Sequence, residues 1–328
     1  MSVFQDLFYE PFTPRVRKAL GAHIVTRSGI IFKGPKWSFF STYNNPIVKL
    51  RFLIISFLSI LKRGAVYVDG SNLGVIHSGW TAGYYHWITE SLPRALLMKD
   101  MYPDAVPILP SERYSNYLKS LECLGFRCVE KFPTDRNVVI LDPILTECPR
   151  SFGTTAPALL HRVRDLVVEH FSCDMVCNNA KIVYVSRRQA RGRYILNEKE
   201  VIENLRSFGA EVVCFEDLCF QEQVHLMMDT RILVSIHGAA LTNMMFMNAG
   251  SKIVEIIPHK NGIFDYNIVR NSFKHDPCYV RLAEVMGHDY NFLECTPDNG
   301  RYSHTHMANL TVNIDRLNCL MGKILKDE

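Results

Sequence analysis

From Lys181 onwards the chain alternates short apolar runs with amphipathic stretches. KIVYVS, AEVVCF, RILVSI, SKIVEIIP and PCYVRL read as strands, with NEKEVIENLRSFG and FQEQVHLMMDT as helices among them. In the first helix Asn197 stands at the N-cap, Glu200 at the third position and Gly209 at the stop. Strands that are apolar throughout, separated by helices, predict a parallel sheet covered on both faces. Such sheets take their ligands outside the carboxyl ends of the strands.

That rule puts three clusters on one edge. After KIVYVS come Ser186, Arg187, Arg188, Arg191 and Arg193, four arginines within seven residues. Guanidinium groups fork onto phosphate oxygens, so the cluster suits an anion, although a charge run is ordinarily a solvated loop. After RILVSI comes His237-Gly238-Ala239-Ala240, then Leu241, Thr242 and Asn243. The small residues allow a ligand close to the backbone. A helix starting near Leu241–Asn243 offers unpaired N–H groups and a positive dipole end to a diphosphate. His237 is a hydrogen-bond donor to phosphate or ribose, or a structural residue closing the turn. Glu255 sits inside an apolar strand, which is costly unless it is paired or at the strand end. It is placed to grip ribose hydroxyls or to pair with an arginine.

The first half is less regular. AVYVDG, LGVIHS, VPILP, RCVEKF and NVVILD read as strands, SERYSNYLKSLECLG and APALLHRVRDLVVEHF as helices. In GYYHWITESLPR, helical spacing puts His86, Glu90 and Arg94 on one face, with Tyr84, Tyr85 and Trp87 around them as a flat surface for a sugar. Pro93 must break, kink or restart that helix. Glu90 beside His86 is a general-base candidate, and an ordinary Glu–Arg pair is the plainer alternative.

Composition narrows the classes. With 328 residues, 48% hydrophobic and 21% charged, the chain is globular and long enough for two domains. A net charge of +4, with its arginines clustered, does not make the continuous basic stripe that nucleic acid needs, and no nucleic-acid partner is expected. Ten scattered cysteines without a CxxC point to free thiols. Cys173 with Cys177 and His304 with His306 match no zinc spacing. No GxGxxG follows a strand, no P-loop is present and no Asp-x-Asp occurs. The start of the chain has no signal-peptide pattern. Phe52–Leu61, flanked by Lys49, Arg51, Lys62 and Arg63, is too short to span a bilayer and reads as an interfacial helix or a buried one.

YYHWITESLPRAL, YVSRRQARGRYILNEKEV, FEDLCFQEQVHLMMDTRILVSIHGAALTNMMFM and GSKIVEIIP, in that order, resemble glycosyltransferase family 61 over roughly two-thirds of the chain, Gly74 to Val285. The resemblance implies an α/β, GT-B-like architecture of two Rossmann-like domains facing across a cleft. The expected division is 1–160 on the acceptor side, 161–300 for the nucleotide-sugar, and a helical tail at 301–328. It also implies an inverting transfer without metal or other cofactor, from a nucleotide-sugar, UDP-linked, to a glycan or lipid-linked acceptor in surface or capsular polysaccharide synthesis. The location implied is the cytoplasm or the cytoplasmic face of a membrane. By position, Glu90 and His86 are the catalytic pair, where many relatives carry Asp in place of Glu90. Ser186, Arg187, Arg188, Arg193, His237, Gly238, Ala239, Leu241, Thr242, Asn243 and Glu255 are the donor site. A non-catalytic nucleotide- or glycan-binding protein of the same fold is the alternative.

Overall fold

The computed structural model describes residues 12–34, 36–38, 46–111, 117–148, 155–172, 178–190, 192–258, 278–299 and 307–326. Cys173, Cys177, Arg191, His304 and His306 lie outside them. The chain is mixed α/β and divides into two compact units, one within Phe8–His170 and one within Phe171–Glu328. The expected boundary at 160 falls inside the helix Pro157–Phe171, so the division comes at that helix's carboxyl end instead.

Among the described residues of the first unit, ten strands run β1 (Val16–Lys18), β2 (Ala22–Val25), β3 (Ile31–Lys33), β4 (Lys36–Ser38), β5 (Ala65–Tyr67), β6 (Leu73–Val75), β7 (Val106–Pro110), β8 (Glu130–Phe132), β9 (Asn137–Leu141) and β10 (Ile144–Thr146). They form two five-stranded sheets. One has the order β1-β10-β6-β7-β8, parallel except at β1; the other, β4-β3-β2-β9-β5, is antiparallel except between β5 and β9. Val25, Ile31, Val138 and Ile140 of one sheet pack with Leu73, Val75, Ile108 and Phe132 of the other, which makes the unit's core.

The second unit holds six more strands: β11 (Lys181–Val185), β12 (Glu211–Val213), β13 (Thr230–Ile236), β14 (Lys252–Pro258), β15 (Asp289–Pro297) and β16 (Leu310–Thr311). Their order is β12-β11-β13-β14-β15-β16, and all pairs are parallel except the last. The chain leaves β11 in one direction to form β12, then crosses back to form β13. The strand order therefore reverses between β11 and β13, where doubly wound sheets bind ligands. From Cys278 on, the PCYVRL stretch is a helix, Cys278–Met286, not the expected strand. Tyr279, Val280, Leu282, Ala283 and Met286 are buried at helical spacing, and Gly287 ends the helix at φ +71°. The segment 301–328 is no appended tail where it is described. Its helix Ile314–Lys326 buries Leu317, Met321 and Ile324 in the second unit's core. No described helix is long and apolar enough to cross a membrane.

His77, following β6, is fully buried, with Nδ1 3.3 Å from the Ile108 carbonyl and Nε2 3.1 Å from that of Thr26. Burial lowers its pKa from 6.5 to about 4. Between those values the unfolded chain binds a proton that the native state refuses, so stability rises with pH across that window. Urea denaturation from pH 4 to 7 should show a gain on the order of 3 kcal/mol from this group. His77→Gln should flatten that slope; an unchanged slope would assign it to other groups.

Candidate functional site

At the reversal in the second unit, β11 and β13 pair Val185 with Ser235, so Ser186 and His237 leave the sheet close together. Ser186 is buried, and its hydroxyl donates to Glu198 Oε1 at 2.8 Å; the Tyr184 hydroxyl donates to the same oxygen at 2.8 Å. Burial and Glu198 together hold the Tyr184 phenol far above its usual pKa. Ser186 Oγ also accepts the Arg188 N–H at 3.2 Å, while the Arg188 side chain is exposed. Ser186 and Glu198 thus shape the turn. Glu198 follows the Asn197 N-cap directly, which is why it reads in the sequence as no more than a first-turn acid.

Arg187 and Arg193 are half-buried, and the two guanidinium groups are held around the His237–Gly238 turn. Arg193, at φ +61°, donates to the His237 carbonyl at 3.0 Å. Arg187 contacts Gly238 so closely that a Cβ there would stand 2.6 Å from Nη1. Since Gly238 has an extended φ of 168°, a side chain there would meet the end of Arg187 and no backbone strain. Burial lowers both arginine pKa values. Arg187 lowers that of Arg193 further, whereas Glu216 partly offsets the effect at Arg187. Arg187 Nε is buried without a hydrogen-bond partner among the described residues.

His237 and Glu255 meet, but not as expected. Glu255 is only 3% exposed; its Oε1 pairs with His237 Nδ1, and its Oε2 accepts the Tyr290 hydroxyl. Both oxygens are engaged inside the protein, so Glu255 orients the histidine and is not presented to a ribose. Tyr279 closes over the ring edge-on, with centroids 5.1 Å apart.

The helix after the turn is 3₁₀ and begins two residues early, spanning Ala239–Phe246. Leu241 N–H is already bonded to the Gly238 carbonyl at 3.0 Å. Leu241, Thr242 and Asn243 are wholly buried, and Asn243 Nδ2 donates to Gln223 at 2.9 Å. These three are therefore corrected from ligand donors to supports beneath the turn. The N–H groups of Ala239 and Ala240 precede that Leu241 bond.

In the first unit, Tyr84–His86, a π-helical turn Trp87–Ser91 and the helix Leu92–Met101 follow one another without a break. Pro93 is what the π turn accommodates. An α-helix would bond residue 93 to the Thr89 carbonyl, and proline has no N–H to give. That carbonyl accepts the Thr155 hydroxyl instead, at 2.7 Å. His86 Nδ1 and Glu90 Oε1 lie 3.0 Å apart, with Glu90 2% exposed. Arg94 is fully buried and donates to Thr146 through Nε and Nη2 at 2.9 and 3.0 Å. The expected aromatic surface is corrected at two of its three residues: Trp87 and Tyr85 are buried, Trp87 donating to Ser120 at 2.8 Å, while Tyr84 is half-buried. The exposed aromatic beside His86 is Trp80, ring centroids 6.0 Å apart. It lies outside the helical pattern, so spacing gave no signal for it.

A family model described as Glycosyltransferase 61 matches residues 84–254, which include the His86–Glu90 pair, the Arg187–Arg193 pair and the His237 turn, and end one residue before Glu255. The EGF domain-specific O-linked N-acetylglucosamine transferase of Drosophila melanogaster is 29% identical over 158 residues, 46% of this chain and 26% of that protein. Protein O-linked-mannose beta-1,4-N-acetylglucosaminyltransferase 2 of Canis lupus familiaris is 36% identical over 115 residues, 34% of this chain and 18% of that one. The Mus musculus protein of the same name shows the same identity and coverage. The matches thus span about a quarter or less of these relatives' length.

Gly238→Ala tests the arginine site. The extended backbone accepts alanine, so stability should change by less than about 1 kcal/mol. The displaced Arg187 should cost about tenfold in affinity for inorganic pyrophosphate, measured by titration calorimetry. Unchanged affinity would mean that the Arg187–Gly238 contact holds no anion.

Proposed function

This chain belongs to glycosyltransferase family 61, and we propose that it transfers a sugar from a nucleotide-sugar to an acceptor hydroxyl. The observation that carries the reading is the half-buried Arg187–Arg193 pair gathered at the strand-order reversal. One of its buried N–H groups has no hydrogen-bond partner among the described residues. Two cations brought together and partly desolvated are unfavourable until an anion joins them. A diphosphate supplies that charge, and the N–H groups of Ala239 and Ala240 supply donors. His237, held by Glu255, adds a ring nitrogen at the same turn.

In the proposed mechanism these groups bind the donor and stabilise the departing diphosphate without a metal. Losing one such donor typically costs on the order of a hundredfold in rate. Glu90, paired with His86, removes the proton of the acceptor hydroxyl, and that oxygen attacks the anomeric carbon with inversion. The GT-B type belongs to the same proposal, supported by two units that each have their own parallel pairing. The relatives' names put N-acetylglucosamine first among the donor sugars to test, as its UDP conjugate. They also add an EGF domain and O-linked mannose to the glycan and lipid-linked acceptors expected from the sequence.

A thermal-shift series with UDP, GDP, CMP, NAD and the corresponding sugar conjugates, with and without EDTA, tests the donor. A nucleoside diphosphate should stabilise the protein equally in both conditions, and a shift with NAD alone would refute the reading. Glu90→Gln should abolish transfer and leave nucleotide affinity within about twofold. Retained transfer would reject Glu90 as the base, and nucleotide binding without any turnover would favour a binding protein of the same fold.

A further inference from the structure

The helix Pro46–Arg63 in the first unit is turned the wrong way round for water. Leu50, Ile54, Phe57, Leu58 and Leu61 recur at helical spacing on one face, and all are exposed, from 46% at Leu58 to 67% at Leu61. The inward face carries hydroxyls beside the half-buried Leu53 and Ile60. Ser56 is 2% exposed and hydrogen-bonds Ser28 at 2.6 Å and Thr26 at 3.2 Å; Ser59 donates to Asn137 at 3.4 Å. These bonds fix the rotation of the helix about its axis, so the apolar stripe cannot turn inward. The stripe is about 17 Å long. A monomeric protein rarely leaves such a continuous patch in water without a use for it.

We propose that this face docks on an anionic lipid surface, with the helix lying in the interfacial plane. The charge pattern selects that occupant. The helix contains no Asp or Glu; Arg51 borders one edge of the stripe near its start, and exposed Lys62 and Arg63 stand at its end. Long basic side chains at the margin of an apolar face reach phosphate headgroups while the stripe enters the acyl boundary. A second copy is the poorer fit, because two such faces packed antiparallel would set Arg51 of each against Lys62 and Arg63 of the other. The eighteen-residue helix is not long and apolar enough to span the bilayer. The side chains of Lys49 and Phe52, which the sequence also placed here, lie outside the described residues.

Flotation of the full chain with vesicles tests this, and it reads nothing of the transferase site. The wild-type protein should float with vesicles of about three parts phosphatidylcholine to one part phosphatidylglycerol, and not with phosphatidylcholine alone. Phe57→Ser with Leu61→Ser should reduce the bound fraction at least about tenfold without lowering Tm, since neither side chain is in the core. Arg51→Glu with Lys62→Glu should reduce it similarly, and high salt should do so too. No flotation with either vesicle would overturn the proposal, as would equal binding to neutral vesicles. A dimer that Phe57→Ser with Leu61→Ser dissolves into monomers would overturn it in favour of self-association.

Discussion

The second unit's candidate site depends on the parallel pairing of β11 with β13. Because β12 lies on the far side of β11, the connections after β11 and β13 part in opposite directions. The Val185–Ser235 register ends the two strands almost level, so Ser186 and His237 emerge side by side. The next pairing, Ser235 with Glu255, puts the carboxylate on the same level one strand further, two residues short of His237 along β13. Side chains two apart share a face of a sheet. The ring, the carboxylate and Tyr290 of β15 therefore meet by register alone. A slip of one residue in β14 would send Glu255 to the opposite face and leave His237 without its partner.

The two clusters differ in their electrostatics. In the second unit burial works against two guanidinium groups, and Glu216 offsets only part of the cost at Arg187. The fold sustains this because Arg193 is held by a carbonyl and Arg187 lies against a residue without a Cβ. Such an arrangement strengthens the attraction for an entering anion, since guanidinium groups already stripped of water lose less on meeting it. In the first unit the charge is reversed in sign. Glu90 is withdrawn from solvent beside His86, where a carboxylate is shielded from bulk water.

The sequence showed the alternation, the strand ends and the arginine cluster, because each is a local pattern. It showed least where tertiary partners decide. Cys278–Met286 is rich in residues that also suit strands, and only its neighbours reveal the helical face. Leu241–Asn243 were expected to donate because the helix was placed too late; a start at Ala239 buries them. Asn197 looked like a cap, but its side chain donates to the Val312 carbonyl and accepts the Val312 N–H, tying the C-terminal segment to this helix. Tyr290 lies 35 residues from Glu255 and Thr155 lies 66 from Thr89, separations that no short-range spacing rule reaches.

Pro93 shows how such a distant contact can position a chemical group. Within a sequence it is a helix breaker three residues after Glu90. In the fold the Leu92 N–H reaches back five residues to the Trp87 carbonyl, and the π turn carries the chain past the proline. The Thr89 carbonyl, to which Pro93 has no N–H to give, accepts the Thr155 hydroxyl. Arg94, one residue beyond, then anchors the helix to the end of β10 through Thr146, whose own hydroxyl donates to Val75 at 2.5 Å. Glu90 thus stands between the Thr89 and Arg94 anchors. The helix continues through Pro93 because the surrounding fold supplies the hydrogen bond that proline withholds.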